Sequence, residues 1–430
     1  MISKLRGLWR ALAQWRQVPR FGFLQGHTYL SEAEVGRIGE LVGQDDPETI
    51  KSYEQRFARL IGEGRAVSFA AGRMGFYALM KLLDLGAGDE VILQGATCSV
   101  MANAVLRIGA TPVYADIDPE TFGSSVDAIR RVLSRKTRVI VAQHSFGIPC
   151  RITPIAALAR EKGIFLVEDC ALTLGSSVNG VVCGNFGDAA LFSTDHSKPL
   201  NTMTGGLVYT RDAALYERLE AMRAICGALP AMKQQALWQQ LILERKYCRP
   251  DQYGKMRLVS RFRSFAGIAG RPFIDEDFGS GVSASYPYPA RMPSFLAEIG
   301  HREIDRWEKT KDARKALLQN LLDLFERHGE KMPMVYRDRT REIIPLRLAW
   351  ASEHAAAIRN RLEPILDLPW TWFMQPIVAS SEPLENFGYR QGQCPISEKT
   401  GPNMINIPCN IAPEWAERLV TSLTECMDAR

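Results

Sequence analysis

The sequence predicts an α/β protein with a large domain built on a mostly parallel seven-stranded sheet and a small C-terminal α/β domain. Three observations lead there. At 430 residues the chain exceeds what one ordinary core accommodates, so a large domain and a smaller one are expected. Between residues 46 and 211 short apolar runs alternate with helical text, the pattern of a parallel sheet covered on both faces. The composition, 46% hydrophobic and 23% charged, is that of a soluble globular protein and not of a disordered or fibrous one.

The elements follow in order. "DDPETIKSYEQRFARLIG" reads as a helix opened by Asp46 and Pro47. "AVSFA" is a strand, and "RMGFYALMKLLDL" a helix ending near Gly86. "EVILQ" is a strand, "SVMANAVLRIG" a helix closed by glycine, "TPVYADI" a strand and "SSVDAIRRVLSR" a helix. "TRVIVAQ", the helix "ITPIAALAREKG" and "IFLVED" continue the alternation, and "AALFST" and "GLVYT" follow as strands with little helix between them. From about 212 to 285 the alternation stops in a basic, aromatic-rich region. Residues 294 to 330 read as one long helical text, and 340 to 430 as a small α/β unit with strands "EIIPLRLAW" and "MINIP". The expected division is a basic N-terminal segment (1–29), a large domain (30–227), a basic insertion (228–285), and a linking helix with the small domain (286–430).

Several classes are set aside by composition. No apolar run has the length of a membrane span, and the first residues lack the pattern of a secretory signal. Nine cysteines lie scattered without a CxxC pair or a Cys/His cluster, so disulfides and zinc are not expected and a reducing cytoplasm fits. Charge is unevenly placed. Residues 1–20 carry five basic groups and no acid, and residues 233–271 carry nine basic groups against Glu244 and Asp251. The N-terminal stretch sets Leu5, Leu8, Trp9 and Leu12 on one helical side among Arg and Lys, the pattern of an interfacial helix. Both segments suit an anionic membrane surface, or else packing within the protein or its dimer; no motif that reads nucleic acid accompanies them.

Ligands of parallel sheets sit at the carboxyl ends of the strands. After "AVSFA" come Gly72 and Arg73 at a helix N-terminus, either an ordinary turn or a phosphate cradle. After "IFLV" comes Asp169, either a cap or a functional acid. After "AALF" come Ser193 and then Lys198, a single lysine among small polar residues, followed by Gly205-Gly206. A phosphate cradle, an acid and a lysine at one sheet edge are what pyridoxal 5'-phosphate requires. The amine forms a Schiff base, the carboxylate keeps the pyridine nitrogen protonated, and amides and hydroxyls hold the phosphate.

Residues 30 to 211, and more loosely 286 to 425, resemble the DegT/StrS-type sugar aminotransferases, of the aspartate-aminotransferase-like fold type I. The resemblance rests on "YEQRFARLIGEGRAVSFAAGRMGFYAL", "LGAGDEVILQGATCSVMANAVLRIGATPVYADIDPETF", "GIFLVEDCALTLGS", "GNFGDAALFSTDHSKPLNTMTGGLVYT", "RMPSFLAEIG" and "CPISEKT". It implies Lys198 as the Schiff-base lysine, Asp169 opposite the pyridine nitrogen, Ser193 on the phosphate, and Gly72 and Arg73 where the family places a Gly-Thr pair. It also implies a homodimer that completes each site.

The match has departures. Cys98 stands where the family stacks an aromatic ring on the cofactor. Leu172 replaces a Gln or His three residues after the aspartate and cannot hydrogen-bond the cofactor. Arg73 replaces a small hydroxyl residue, and "YPARM" (288–292) an Asn-containing segment. His196 is a candidate second acid/base group, since related dehydratases use histidine in place of the lysine. His144 reads as a loop-ordering residue, and Trp370 and Trp372 as core residues, with lining a pocket the alternative.

The expected activity is transfer of an amino group from glutamate or glutamine to a keto group, on a nucleotide-linked sugar. The rivals are a dehydratase or carbon–carbon bond-forming enzyme on the same cofactor, and a non-catalytic regulator or membrane-docked scaffold on this fold.

Overall fold

In a computed structural model, which describes residues 19–24, 26–253, 255, 259, 278–281, 286–367, 372–380 and 382–428, each of the seven apolar runs is a strand of one sheet. They are β1 (Arg65–Phe69), β2 (Glu90–Gln94), β3 (Thr111–Ala115), β4 (Thr137–Gln143), β5 (Phe165–Asp169), β6 (Ala189–Ser193) and β7 (Gly206–Thr210). Their spatial order is β1-β7-β6-β5-β4-β2-β3. Only β7 runs against its neighbours; β6, β5, β4, β2 and β3 are mutually parallel. The strands are apolar along nearly their whole length because both faces are covered, which erases the alternation a half-exposed strand would show. Each fully buried Val, Leu or Ile contributes about 1.5–3 kcal/mol.

Helix boundaries follow local chemistry. Helix α1 (Glu32–Glu40) opens with a capping box in which Ser31 and Glu34 satisfy each other's backbone amides. Helix α2 (Pro47–Arg59) opens as expected, with the Asp46 side chain accepting from Thr49 N–H and Pro47 in the first turn. Helices α3 (Gly72–Leu82), α4 (Ser99–Arg107), α5 (Val126–Val132) and α6 (Ile152–Lys162) alternate with the strands. The last ends at Gly163, whose φ of 63° is the left-handed conformation that glycine takes without strain.

Beyond β7 the chain forms α7 (Ala213–Ile225) and α8 (Ala231–Tyr247). Both helices lie in the region where the strand–helix alternation was expected to stop. Helix α8 packs Leu237 and Leu241 into the large core beside buried Gln234, Gln240 and Glu244. The long helical text is two helices, α9 (Ser294–Asp305) and α10 (Trp307–Arg327), separated at Arg306, whose guanidinium lies 3.8 Å from the centroid of the Tyr29 ring.

The small domain pairs β8 (Arg347–Ala351) with β9 (Met404–Pro408) antiparallel, and packs α11 (Ala355–Leu362) and α13 (Pro413–Asp428) around Trp350 and Leu419; α12 (Pro395–Thr400) lies between. Phe21 enters this core from the N-terminal segment through a bridge to Leu366. Leu5, Leu8, Trp9 and Leu12, most of the 254–277 tract and Trp370 lie outside the described residues. Among the described residues no helix is long and apolar enough to cross a membrane.

Candidate active site

Strand register brings the chemistry to one edge. Gln143 at the end of β4 pairs with Asp169 at the end of β5, and Asp169 pairs with Leu191 of β6. Ser193, the last residue of β6, faces Gly206, the first of β7, which faces Phe69 of β1. Because β7 is antiparallel, the loop 194–205 leaves and re-enters the sheet at this edge, and Lys198 stands on it. Glycine at 206 is required by close approach: a Cβ there would lie 2.3 Å from Gly72 Cα and 2.4 Å from Gly72 N.

The lysine loop is fixed by all parts of the fold. Thr202 N–H donates to Thr194 C=O at 2.8 Å, and the Thr204 hydroxyl to Ala70 C=O at 2.9 Å. Asn410 Nδ2 donates to the Lys198 carbonyl at 3.3 Å, Arg314 to that of Pro199 at 2.8 Å, and His27 Nε2 to that of Asn201 at 2.7 Å. Backbone groups that a loop normally leaves to water are thus held by protein, and the lysine stem starts from a set position.

All eight residues singled out from the sequence (Gly72, Arg73, Cys98, Asp169, Leu172, Ser193, His196 and Lys198) line one cavity of about 400 Å³ at this edge. Gly72 begins α3 behind Ala71, which has no side chain to cap the helix, so the first turn meets the cavity beside Ser193. Asp169 is buried and accepts the Ala171 N–H at 2.9 Å. Burial raises its carboxyl above the usual carboxylate range, against the lowering effect of that N–H and the charges of Lys198 and His144. Cys98 begins the turn into α4, and its segment pairs with Ile377–Val378, so Cys98 and Val378 adjoin on one wall. Burial pushes the Cys98 thiol up, against the charges of Lys198 and Arg73, so it presents a neutral, apolar face. Leu172 adds another apolar face.

His196 is buried, with Nδ1 3.0 Å from Glu244 Oε1; Gln240 donates to the same oxygen at 2.8 Å. Helix α8 therefore orients the one histidine side chain on the cavity wall. His144 does not line the cavity. Its Nδ1 accepts Cys150 N–H at 3.0 Å, leaving Nε2 to donate to Glu168 at 3.1 Å. Glu168 also accepts backbone N–H groups of Gly184, Phe186 and Gly187. With Cys183 nearby these residues form a metal-like cluster, but the hydrogen bonds already occupy the His and Glu donors, so the set reads as a structural network.

Two wall residues come from the second half of the chain. Trp372, read from sequence as core, lines the cavity, with its ring centroid 5.5 Å from Lys198 Nζ. The correction has a physical cause: its segment is held from the small domain by the Trp372 N–H bond to Asn406 Oδ1 at 2.8 Å, a contact no local pattern reveals. Arg347 was not singled out. It begins β8, is buried, and lines the same cavity. A cation inside an apolar strand text, "PLRLAW", was the available signal. Desolvation pulls its guanidinium down to about 9, still charged at neutral pH.

An acid at a sheet edge, a lysine on the loop that lines the same cavity and a helix N-terminus beside a serine are the arrangement expected of a fold type I site. The chain matches the model of the DegT/DnrJ/EryC1/StrS aminotransferase family over residues 43–424, and it belongs to that family. It is 37% identical over 195 residues (44% of this chain and 50% of the relative) to a dTDP-4-dehydro-2,3,6-trideoxy-D-glucose 4-aminotransferase of Saccharopolyspora spinosa. It is 36% identical over 169 residues (39% and 46%) to the GDP-perosamine synthase of Escherichia coli O157:H7. The chain spans about half the length of the curated relatives it matches. Among solved structures, an aminotransferase from Psychrobacter cryohalolentis superposes with a TM-score of 0.69 at 20% identity, over 92% of this chain and 96% of that one. A putative sugar aminotransferase from Streptococcus pneumoniae in its PMP form gives 0.68 at 18% identity, over 94% and 98%.

Proposed function

We propose that this protein is a pyridoxal-phosphate-dependent aminotransferase that moves an amino group from glutamate or glutamine to a keto group on a nucleotide-linked sugar. The observation that carries the reading is the convergence of Lys198, Asp169, Ser193 and the N-terminus of α3 on one cavity. The residues fit the cofactor: a buried carboxylate for a ring nitrogen, and a glycine-begun helix with a hydroxyl for a phosphate. When bound, pyridoxal phosphate supplies an aldehyde for amine exchange and a ring that accepts electrons.

The chain's own residues do the rest. Lys198 Nζ takes the proton from the donor's α-carbon and returns one to the carbon that received nitrogen. Asp169 holds the ring proton through its carboxylate, favoured there because that cation offsets its desolvation. Gly72, Arg73 and Ser193 hold the phosphate. Cys98, Val378 and Leu172 exclude water from the ring without hydrogen-bonding it, and His196, oriented by Glu244, is a second acid/base group beside the lysine.

The relatives' printed activities on sugar nucleotides support the acceptor class. We extend the reading to a homodimer working in the cytoplasm, with residues 1–20 and 233–271 able to meet an anionic membrane surface. The deciding experiment is borohydride trapping of purified protein followed by peptide mass mapping, with spectra of the half-reaction with glutamate. A cofactor adduct on Lys198 and full conversion by glutamate alone support transamination. An adduct without conversion favours the dehydratase or carbon–carbon class, and no adduct favours a non-catalytic protein.

A further inference from the structure

Arg314 of α10 is 4% exposed, and desolvation pulls its guanidinium down to about 10, still charged at neutral pH. Its Cζ lies 5.2 Å from the centroid of the buried Trp307 ring. Its Nη2 donates both to the Pro199 carbonyl and to Asn410 Oδ1. Arginine can only donate, so the Asn410 amide has one orientation: its oxygen meets Arg314, and its Nδ2 meets the Lys198 carbonyl at 3.3 Å. Asn410 lies just beyond β9, where the Cys409 N–H bond to Leu346 C=O at 3.0 Å keeps the chain against the start of β8. Within β9, Asn406 Oδ1 accepts the Trp372 N–H. One strand of the small domain therefore holds the cavity wall that carries Trp372 and, at its end, the backbone of the lysine.

We propose that Asn410 is a positioning residue through which the small domain sets the place of Lys198, with Arg314 fixing its amide. The position calls for an amide, because one neighbour only donates and the other only accepts. A carboxylate there would keep the bond to Arg314 but set an oxygen against the Lys198 carbonyl. An apolar side chain of the same size would keep neither bond. The lysine's task rests on the aminotransferase reading, whereas the first measurement below needs no cofactor.

Full-chain wild type is compared with Asn410→Asp and Asn410→Leu. Hydrogen–deuterium exchange of cofactor-free protein follows the loop 194–205, with β7 and β8 as internal references. We expect both variants to raise exchange of the loop by about twofold to tenfold, the share of one hydrogen bond, while β7 and β8 stay as in the wild type. Holoenzyme then gives the glutamate half-reaction in single turnover. Its maximal rate should fall by a similar factor at an unchanged half-saturating glutamate concentration. Asn410→Asp carries the decision, since it keeps Arg314 paired. If Asn410 serves only to pair that arginine, the loop exchanges in this variant as in the wild type, and the proposal is overturned. A rise in exchange shared equally by β7 and β8 also overturns it, as does an unchanged maximal rate. A wild type that forms no Lys198 borohydride adduct counts against the parent reading, and the exchange result then decides the positioning by itself. Should Asn410→Leu fail to fold, Asn410→Asp decides alone.

Discussion

The Nζ of Lys198 lies 5.5 Å from the centroid of the Trp372 ring, so a residue of the second half of the chain covers the amine of the first. A cation–π contact of this kind is worth about 0.5–2 kcal/mol, the larger figure where water is excluded. The ring also lines the cavity. Trp372→Ala should slow the glutamate half-reaction by roughly twofold to thirtyfold, by the same contact energy, and leave cofactor retention unchanged. Stopped-flow spectra with gel-filtered protein read both quantities; unchanged rates would show that the ring does not act on the amine.

Lys198→Ala should abolish the borohydride adduct and reduce single-turnover transfer by about a thousandfold, within the range that general acid–base groups supply. Peptide mapping and rapid-quench assays measure the two effects. An adduct on another lysine, with activity retained, would transfer the assignment elsewhere.

Asp169→Asn should act in opposite directions on two observables. Burial raises the carboxyl's pKa in the protein without cofactor. The folded chain therefore holds a proton that the unfolded chain releases as pH rises through the carboxylate range. Stability from this group is present at low pH and falls as pH climbs from the unfolded pKa through the folded one. The neutral amide removes that loss. Cofactor-free Asp169→Asn should then melt higher than wild type at pH 7 and no higher at acid pH, while its affinity for pyridoxal phosphate falls. Thermal melts across pH and equilibrium titration test the pair of signs.

Gly206→Ala would drive a methyl to 2.3 Å from the Gly72 backbone, at the point where β7 and the start of α3 touch. Neither side is a flexible side chain that can move aside. We expect a loss of about 1–3 kcal/mol or more in urea denaturation, and weaker cofactor binding because the α3 N-terminus must shift. A variant of native stability would mean the helix start is freer than its packing indicates.

Removal of residues 1–18 should reduce co-sedimentation with anionic vesicles at low salt, by about 1 kcal/mol for each basic group that contacts the surface. Added salt should erase the difference. Binding that does not change on removal takes this segment out of the membrane reading.

The sheet was legible because two-sided burial writes each strand as an uninterrupted apolar word, as in "EVILQ" and "IFLVED". The first half of the site was legible because a parallel sheet puts its ligands at strand ends, where Asp169, Ser193 and Gly72 fall. Helix α8 was not, because Gln234, Gln240 and Glu244 occupy its buried face and break the apolar period. One of them, Glu244, is the partner of His196, so the feature that hid the helix also links it to the cavity. The division between α9 and α10 was missed because the apolar spacing runs through Arg306, and only the contact with Tyr29 marks the break. Arg347 and Trp372 were missed as site residues because the small domain delivers them across long sequence distances, through Asn406.

The Arg20 N–H donates to Pro250 C=O at 3.0 Å, where the end of the first positively charged stretch meets the middle of the second. Were both stretches to meet an anionic membrane as proposed, this shared tether would place the second at a high effective concentration once the first had bound, so that weak attractions multiply into avidity. Severing either stretch should then cost more than half of the binding free energy that both provide.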